Sequence, residues 1–293
     1  TCDIVNHLGL KRALVVGAAL NATGAILKLL AAAYYQHYVL IAIGQFFCGF
    51  AQLFLLGTPP LLAAVWFPMD ERALAFLKTL LDAPGPSGFE QVPARLWREE
   101  AKAFAQVEVD VGGNSIATLN PGGAPRVMLA GHVDEIGLMV VHIDDDGFVF
   151  FAPIGGWDSQ VLVGQRVLIE GKAGPVLGVI GKKAIHLVKH EDRDRISKVT
   201  DLWIDIGAKN KDEAAARVRV GDAGVLSAHL IEFPNGRLVS RSIDNRIGAF
   251  VVLEALRRLA ADPPKAAVAA AATTQEEIAH SGGGARTSAF HLE

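Results

Sequence analysis

Two apolar stretches of strand type are each followed directly by ionisable side chains. Residues 127–130 lead into His132-Val-Asp134, and residues 266–273 lead into Glu276-Glu277. A segment with helical periodicity, residues 247–260, lies between them in the chain. Strands that alternate with helices are typical of an α/β sheet, and such sheets bind ligands at the carboxyl ends of their strands. The sequence therefore predicts an α/β fold with a polar site at one edge of the sheet.

The spacing of His132 and Asp134 suits a metal ligand and its support. A metal-bound histidine usually donates its second ring N–H to a carboxylate, which fixes the tautomer. His132 would then be the ligand, and Asp134 would orient it. The alternative is an ordinary turn with a solvated histidine and acids, and the motif alone is compatible with both.

Three further acids are candidates for the same site. Asp244 lies in the segment 240–248 that opens the helix, so its alternative role is to cap that helix. Glu276 and Glu277 follow an apolar strand, and adjacent residues on an extended chain point in opposite directions. One glutamate could therefore bind a metal while the other acts as a general base toward a bound water. Paired surface acids are the alternative.

These stretches together resemble one family, the M42 metallo-aminopeptidases of the glutamyl and tetrahedral type. The resemblance covers residues 69–293 and rests on motifs that occur in the family's order, at residues 130–137, 181–186, 201–208, 242–248 and 274–278. It implies an enzyme that removes N-terminal residues from peptide substrates. It also implies two divalent metal ions as cofactors, zinc or cobalt, with manganese as the alternative.

The resemblance implies a role for each candidate residue. His132 binds the first metal ion, Asp244 bridges the two ions, and Glu277 binds the second ion. Glu276 is the general base, and Asp134 orients His132. These roles come from matching motifs and not from the spacing of the residues.

Two ligands expected in the family have no counterpart here. The family carries a further aspartate and a further histidine downstream of the glutamate pair, whereas the sequence ends at Glu293, and neither His280 nor His291 stands at the matching position. The chain is therefore expected to be a C-terminally truncated member with impaired activity. A non-catalytic assembly fragment and a membrane transporter fragment are the alternative functions, and a two-carboxylate sugar hydrolase is a weaker one.

Residues 155–231 differ in texture from the sequence around them. They carry short β-type runs, including residues 161–163, and many glycines, which is typical of a small barrel or sandwich. The resemblance implies that residues 69–154 and 232–293 form a metallopeptidase sheet of the phosphorylase/hydrolase-like type with helices on both faces. By resemblance to the family, the inserted β-domain would mediate self-association into oligomers.

Two polar stretches are interpreted without reference to the site. The spacing of Ser87 and Glu90 before a helical segment predicts a capping box. The charged run at residues 189–195 is interpreted as a solvated loop.

The first part of the chain is unusually apolar. The whole sequence has 51% hydrophobic residues and a mean hydropathy of +0.31. The excess is local, because Lys28 is the only charge in residues 13–35 and residues 38–67 carry none. A bilayer span needs ~20 mostly apolar residues, so both runs are predicted to be transmembrane helices that form a hairpin and associate the chain with a membrane. Two buried core helices are the alternative.

The apolar part has a resemblance of its own. Residues 44–67 resemble a helix pair of major-facilitator transporters of the haem- or choline-exporter type. Met69 stands where the enzyme part would begin, which motivates the hypothesis that residues 1–68 and 69–293 come from two gene products. A native peptide that runs through residues 67–71 would contradict this hypothesis.

Charge and cysteine content bear on partners and compartment. The formal net charge is −3, with no basic stretch, so nothing indicates a nucleic-acid partner. Cys2 and Cys48 both precede residue 69, so the second part has neither a disulfide nor a cysteine-metal site. This pattern fits a reducing, cytoplasmic location for residues 69–293.

Overall fold

The computed structural model of this chain describes residues 10–33, 38–55 and 70–278. The chain forms two compact units, residues 1–71 and residues 72–293. In the first unit, helices α1 (Leu10–Ala33) and α2 (Tyr38–Leu55) pack against each other. A Cβ atom added at Gly24 would lie 2.6 Å from the carbonyl oxygen of Gly44, so the two backbones approach closely at glycine.

The predicted transmembrane hairpin is not supported by the structure. In the described part of the chain, no helix is long and apolar enough to cross a membrane. A polar contact also joins the two helices, in which Lys28 Nζ donates a hydrogen bond to Gln45 Oε1 at 3.2 Å. The end of the second predicted span, residues 56–67, lies outside the described residues.

The second unit begins with two amphipathic helices and continues as a mixed α and β chain. The first helix, Glu71–Asp82, buries its leucine face, as its apolar spacing requires. The elements, in chain order, are α3 (Glu71–Asp82), α4 (Gln91–Ala101), β1 (Gln106–Val109), β2 (Ser115–Leu119), β3 (Arg126–His132), β4 (Gly137–Ile143), β5 (Val149–Ile154), β6 (Arg166–Gly171), β7 (Gly174–Lys182), β8 (Leu202–Asp205), α5 (Lys211–Arg217), β9 (Ala223–Leu226), β10 (Ile231–Phe233), β11 (Arg237–Val239), α6 (Ile243–Leu259) and β12 (Ala267–Thr273).

A four-stranded sheet carries the two apolar stretches identified in the sequence. Its strand order is β1-β2-β12-β3, and β12 runs parallel to β3 and antiparallel to β2. In the parallel pair, Thr273 lies beside His132, so both strands end at the same edge. The α/β prediction is confirmed at this point, because the side chains that follow each strand emerge together.

Helices α3, α4 and α6 lie on one face of the four-stranded sheet. A single cluster joins α3, α4 and α6 to one set of alternate strand residues, which includes Ala117, Val268 and Ala270. The opposite set, which includes Ile116 and Ala269, forms a small separate cluster without a helix among the described residues. The prediction of helices on both faces is therefore wrong for the described part of the chain. The sequence could not show this, because the alanine-rich strand β12 is equally apolar on both faces.

The predicted insert is a closed six-stranded barrel in the order β4-β5-β8-β7-β6-β9. The insert is predicted to begin at residue 155, but β4 and β5 precede that residue and belong to the barrel. An alternating pattern identifies a strand without identifying its partner, and β4 pairs with the distant β9. The strand predicted at residues 161–163 is absent. Asp158 instead accepts a hydrogen bond from the Gln160 amide at 2.9 Å and caps a short 3₁₀ turn there.

Candidate metal centre

His132 is the residue on which the candidate site converges. It is the last residue of β3, and only 7% of it is exposed. Its Nε2 atom lies 3.3 Å from Asp244 Oδ1 and 3.7 Å from Glu276 Oε2. One possible ligand atom from each of His132, Glu276 and Glu277 can be chosen so that all lie within 4.8 Å of one another. The structure thus brings together an imidazole and three carboxylates from three separate stretches of sequence.

Asp134 holds the opposite side of the His132 ring. It is fully buried, and its Oδ1 lies 3.3 Å from His132 Nδ1. The same Nδ1 lies 3.2 Å from the carbonyl oxygen of Asp134. Asp134 Oδ2 accepts hydrogen bonds from Ser87 Oγ at 2.7 Å and from the Glu277 amide at 3.0 Å. A proton on Nδ1 therefore faces Asp134, and the Nε2 lone pair of the neutral ring faces the other acids.

The local charges shift the pKa values of the site residues. Burial alone would lower the pKa of His132, but the hydrogen bond and negative charge of Asp134, helped by Glu276 and Asp244, raise it. The pKa of Asp134 is lowered although burial opposes this, because the donors around it stabilise the carboxylate. The site therefore holds a concentrated negative charge against one imidazole.

Glu277 differs from its neighbour in burial and in pKa. Burial raises the pKa of Glu277, and the charges of Asp244 and Asp134 raise it further. Its side chain is partly buried, whereas that of Glu276 is 49% exposed.

The two glutamates do not point in opposite directions as predicted. Strand β12 ends at Thr273, and Gln275 adopts a left-handed backbone with φ of 58° before a turn begins. The alternation rule applies only to extended chain, so it does not apply to this turn. Both carboxylates consequently reach the neighbourhood of His132.

Asp244 reaches the site because the start of α6 is irregular. Asp244 has φ −83° and ψ 113°, and Asn245 has φ −120° and ψ 38°, so neither residue is helical. The residue in the N-cap position is Ser242, and it makes no side-chain cap. The capping alternative for Asp244 is therefore not what the structure shows.

Two polar residues near the site were misread in the sequence. Ser87 and Glu90 do not form the predicted capping box, and the helix that follows has no side-chain cap. Ser87 instead binds Asp134, and Glu90 Oε1 accepts hydrogen bonds from the amides of Gly88 at 2.7 Å and Gln275 at 3.0 Å. The sequence carried no signal for this, because a serine and a glutamate three residues apart look identical in either role.

The donor set fits a divalent cation. Imidazole nitrogen combined with carboxylate oxygens suits zinc, cobalt and manganese. Without a cation, the carboxylates of Asp244, Glu276 and Glu277 would repel one another around a single imidazole. The buried Asp134 Oδ1 lies 3.3 Å from His132 Nδ1, where a metal-bound histidine usually has a carboxylate.

Asp134→Asn is expected to weaken metal binding about 10- to 100-fold. An asparagine keeps only one acceptor oxygen, so its NH₂ group would face either His132 Nδ1 or the Ser87 hydroxyl and the Glu277 amide, which need an acceptor. Calorimetric titration with zinc or cobalt measures the effect. Asp262→Asn, at an exposed carboxylate, is the control and should leave the affinity unchanged. Equal affinities in the two variants would show that Asp134 does not support the ligand.

Comparison with known proteins shows which family the sequence matches. Residues 113–293 match the family model described as M42 glutamyl aminopeptidase. A lysyl aminopeptidase from Pyrococcus furiosus is 35% identical over 188 residues, which are 62% of this chain and 54% of that protein. The chain spans about half the length of the curated aminopeptidases that it matches.

Solved structures of aminopeptidases resemble this chain in both fold and sequence. A TET aminopeptidase from the marine sediment archaeon Thaumarchaeota archaeon SCGC AB-539-E09 superposes with a TM-score of 0.72 at 37% identity, over 76% of this chain and 64% of that one. The Pyrococcus horikoshii TET1 peptidase, described as assembling into a tetrahedron or a large octahedral shell, has a TM-score of 0.67 at 34% identity and covers 75% of this chain and 66% of its own.

A shorter match concerns a different class of protein. The choline/ethanolamine transporter flvcr2b of Danio rerio is 39% identical over 72 residues, which are 25% of this chain and 15% of that protein. This is the transporter class that the apolar first part resembles.

Proposed function

We propose a function from one premise: this chain belongs to the M42 glutamyl aminopeptidase family. The proposed function is metal-dependent hydrolysis of the N-terminal peptide bond of peptides. One observation carries it, which is the convergence of Asp244, Glu276 and Glu277 on the buried His132. Since the chain spans about half of its curated relatives, the activity and its substrates are assigned here as a proposal.

The residues that would hold two divalent ions are His132, Asp244 and Glu277. Zinc and cobalt are the proposed ions, and manganese is the alternative. The chemistry that such ions supply when bound is a lowered pKa of water, which makes a nucleophile available at neutral pH.

The residues of the chain provide the proton transfers and the orientation. Glu276 is the more exposed glutamate of the pair, so we assign it the proton of the attacking water and its later delivery to the leaving amine. Asp134 retains the proton on His132 Nδ1 and so keeps Nε2 available as a ligand. Glu90 and Asp134 hold the amides of Gln275 and Glu277, which fixes the turn that carries both acids.

We propose in addition that the chain self-associates through its barrel. The barrel exposes large apolar side chains, and exposed apolar patches mark interaction sites. They include Leu177 and Leu187, each more than half exposed. Light scattering of the purified protein tests the assembly, and a monomer at micromolar concentration would contradict it.

A peptidase assay with matched substrates tests the proposed activity. The protein supplied with zinc or cobalt is expected to hydrolyse a peptide with a free α-amine and to leave its N-acetylated form intact. A chelator should abolish turnover, and added metal should restore it. Assembly without any metal-dependent turnover would favour the non-catalytic alternative.

A further inference from the structure

The barrel carries a cavity of about 400 Å³ that contains none of the candidate metal ligands. We call it the basic pocket and define it by six of its lining residues, Phe150, Lys182, Lys183, Arg193, Arg195 and Trp203. Its volume is within the range of sites that bind small molecules and short peptide segments. Neither the fold nor the proposed catalytic chemistry requires it.

The charge of the basic pocket is strongly one-sided. Four cationic side chains line it, and Asp201 is the one carboxylate in the lining. Asp201 lies 3.9 Å from Arg195 and so offsets part of one charge. Lys182, Lys183 and Arg193 have no ion-pair partner among the side chains that the structure describes. The pocket therefore presents uncompensated positive charge in a concave surface, which attracts anions.

The loop at residues 189–195 places its arginine side chains at the pocket and two of its acidic side chains outside it. In sequence the loop alternates in sign and resembles a solvated surface loop. In the structure Arg193 and Arg195 line the cavity, whereas the acids Glu191 and Asp194 do not. The interpretation of this run as an ordinary solvated loop is therefore incomplete, because one sign of charge faces the cavity.

The pocket wall is aromatic and aliphatic below the charges. Phe150 and Trp203 are half-buried, and Trp203 also contacts Phe148 at a ring-centroid distance of 5.6 Å. Val188 and Ile196 line the same cavity, together with the hydroxyl groups of Ser197 and Thr200. A ligand that carries only charge, such as an inorganic ion, would leave this apolar surface uncovered.

We propose that the basic pocket binds a short acidic peptide segment in which an aliphatic side chain lies between two carboxylates. Guanidinium groups pair with carboxylates through two parallel N–H···O bonds, which the two arginines can offer. The aliphatic side chain would lie against Phe150 and Trp203, where burial of apolar area is favourable. This site is separate from the proposed aminopeptidase activity and needs neither a free α-amine nor a metal ion.

Binding of a blocked peptide tests the proposal. The probe is Ac-Asp-Leu-Glu-NH₂, whose acetyl group removes the free amine that an aminopeptidase requires. Titration calorimetry is expected to show saturable binding that weakens as salt rises, because exposed charges are screened beyond ~10 Å at 0.1 M salt. The neutral analogue Ac-Asn-Leu-Gln-NH₂ should bind at least tenfold more weakly. Equal binding of the two peptides, or no binding of the acidic one, would overturn the proposal.

Two variants locate the binding. Arg193→Gln combined with Arg195→Gln should reduce the affinity about tenfold or more, since a tenfold loss corresponds to ~1.4 kcal/mol and each lost charged hydrogen bond contributes roughly that amount. Arg166→Gln removes an exposed cation of the barrel outside the pocket and should leave the affinity unchanged. An unaltered affinity in the double variant would place the peptide elsewhere. Inorganic phosphate that competes fully at equal concentration would show a general anion site and would also overturn the proposal.

Discussion

Glu276→Gln is expected to reduce turnover of a peptide with a free amino terminus by about 10²- to 10⁴-fold, because the variant cannot accept a proton. Metal affinity should change little, since the roles we propose leave the ligand positions to His132, Asp244 and Glu277. Gln keeps the size of the side chain, which is 49% exposed, so the fold should not be perturbed. Steady-state assays with saturating metal measure the first effect, and calorimetric metal titration measures the second.

The matched variant Glu277→Gln distinguishes the two adjacent acids. The Glu277 side chain is more buried than that of Glu276, and the Glu277 backbone amide donates a hydrogen bond to Asp134 Oδ2 at 3.0 Å. Loss of a ligand carboxylate should weaken metal binding and lower turnover together, and excess metal should recover part of the rate. If Glu276→Gln weakens metal binding while Glu277→Gln does not, the two roles are exchanged. If neither variant affects turnover, the assignment of both residues fails.

The edge of the sheet where the site lies could be predicted from the sequence, because two apolar runs end in polar residues. Parallel pairing of β3 and β12 then places Thr273 beside His132, and the side chains that follow come together. A short apolar run indicates a buried strand, and the helix between the two runs indicates that the strands are parallel. For the same reason the α/β class of this unit was predictable.

The details inside the site could not be predicted in this way. The orientation of Glu276 and Glu277 depends on a left-handed Gln275 and a turn, which strand periodicity does not encode. The roles of Ser87 and Glu90 depend on contacts with residues 134 and 275, far along the chain. Local patterns favour the local explanation, a capping box, and only the tertiary structure excludes it.

The barrel boundary and the sheet faces were misjudged for a related reason. Strand β4 follows directly from the His132 motif in sequence, but it pairs with β9 across the barrel. An alternating run reveals one buried face and leaves the partner strand open. Pairings between distant strands were therefore beyond the reach of a single sequence.

A buried ion network next to the site leads to the largest expected change in stability. Glu135 is 1% exposed, and its two oxygens lie 2.9 Å from Arg246 and 2.9 Å from Arg241. Arg246 is fully buried, and burial lowers its pKa against the opposing charge of Glu135. Its guanidinium also donates to backbone carbonyls, including those of Leu80 at 3.1 Å and Val133 at 2.7 Å. Without Arg246, Glu135 would keep Arg241 as a partner, but the two carbonyls would lose the donor that Arg246 supplies.

Arg246→Met is therefore expected to lower the free energy of unfolding by ~3–5 kcal/mol, because it removes one of the two arginines that pair with the buried Glu135 carboxylate and takes away the donor of the two carbonyls named above. The double variant Arg246→Met with Glu135→Leu should recover part of the loss, since the buried anion is removed as well. Denaturant unfolding followed by circular dichroism measures both. Arg72→Met, in the exposed pair with Glu100, is the control and should have a small effect.

The same network also contacts the backbone of the His132 motif, through one residue. Val133 lies between His132 and Asp134, and its carbonyl accepts the 2.7 Å bond from Arg246 Nε. If this bond positions His132, the double variant Arg246→Met with Glu135→Leu should fold, but it should bind metal more weakly than the unaltered protein. If its metal affinity is unchanged, the network stabilises the fold and leaves the geometry of His132 to Asp134 alone. A single-variant loss below that of the exposed control would show that the buried pair contributes no net stability.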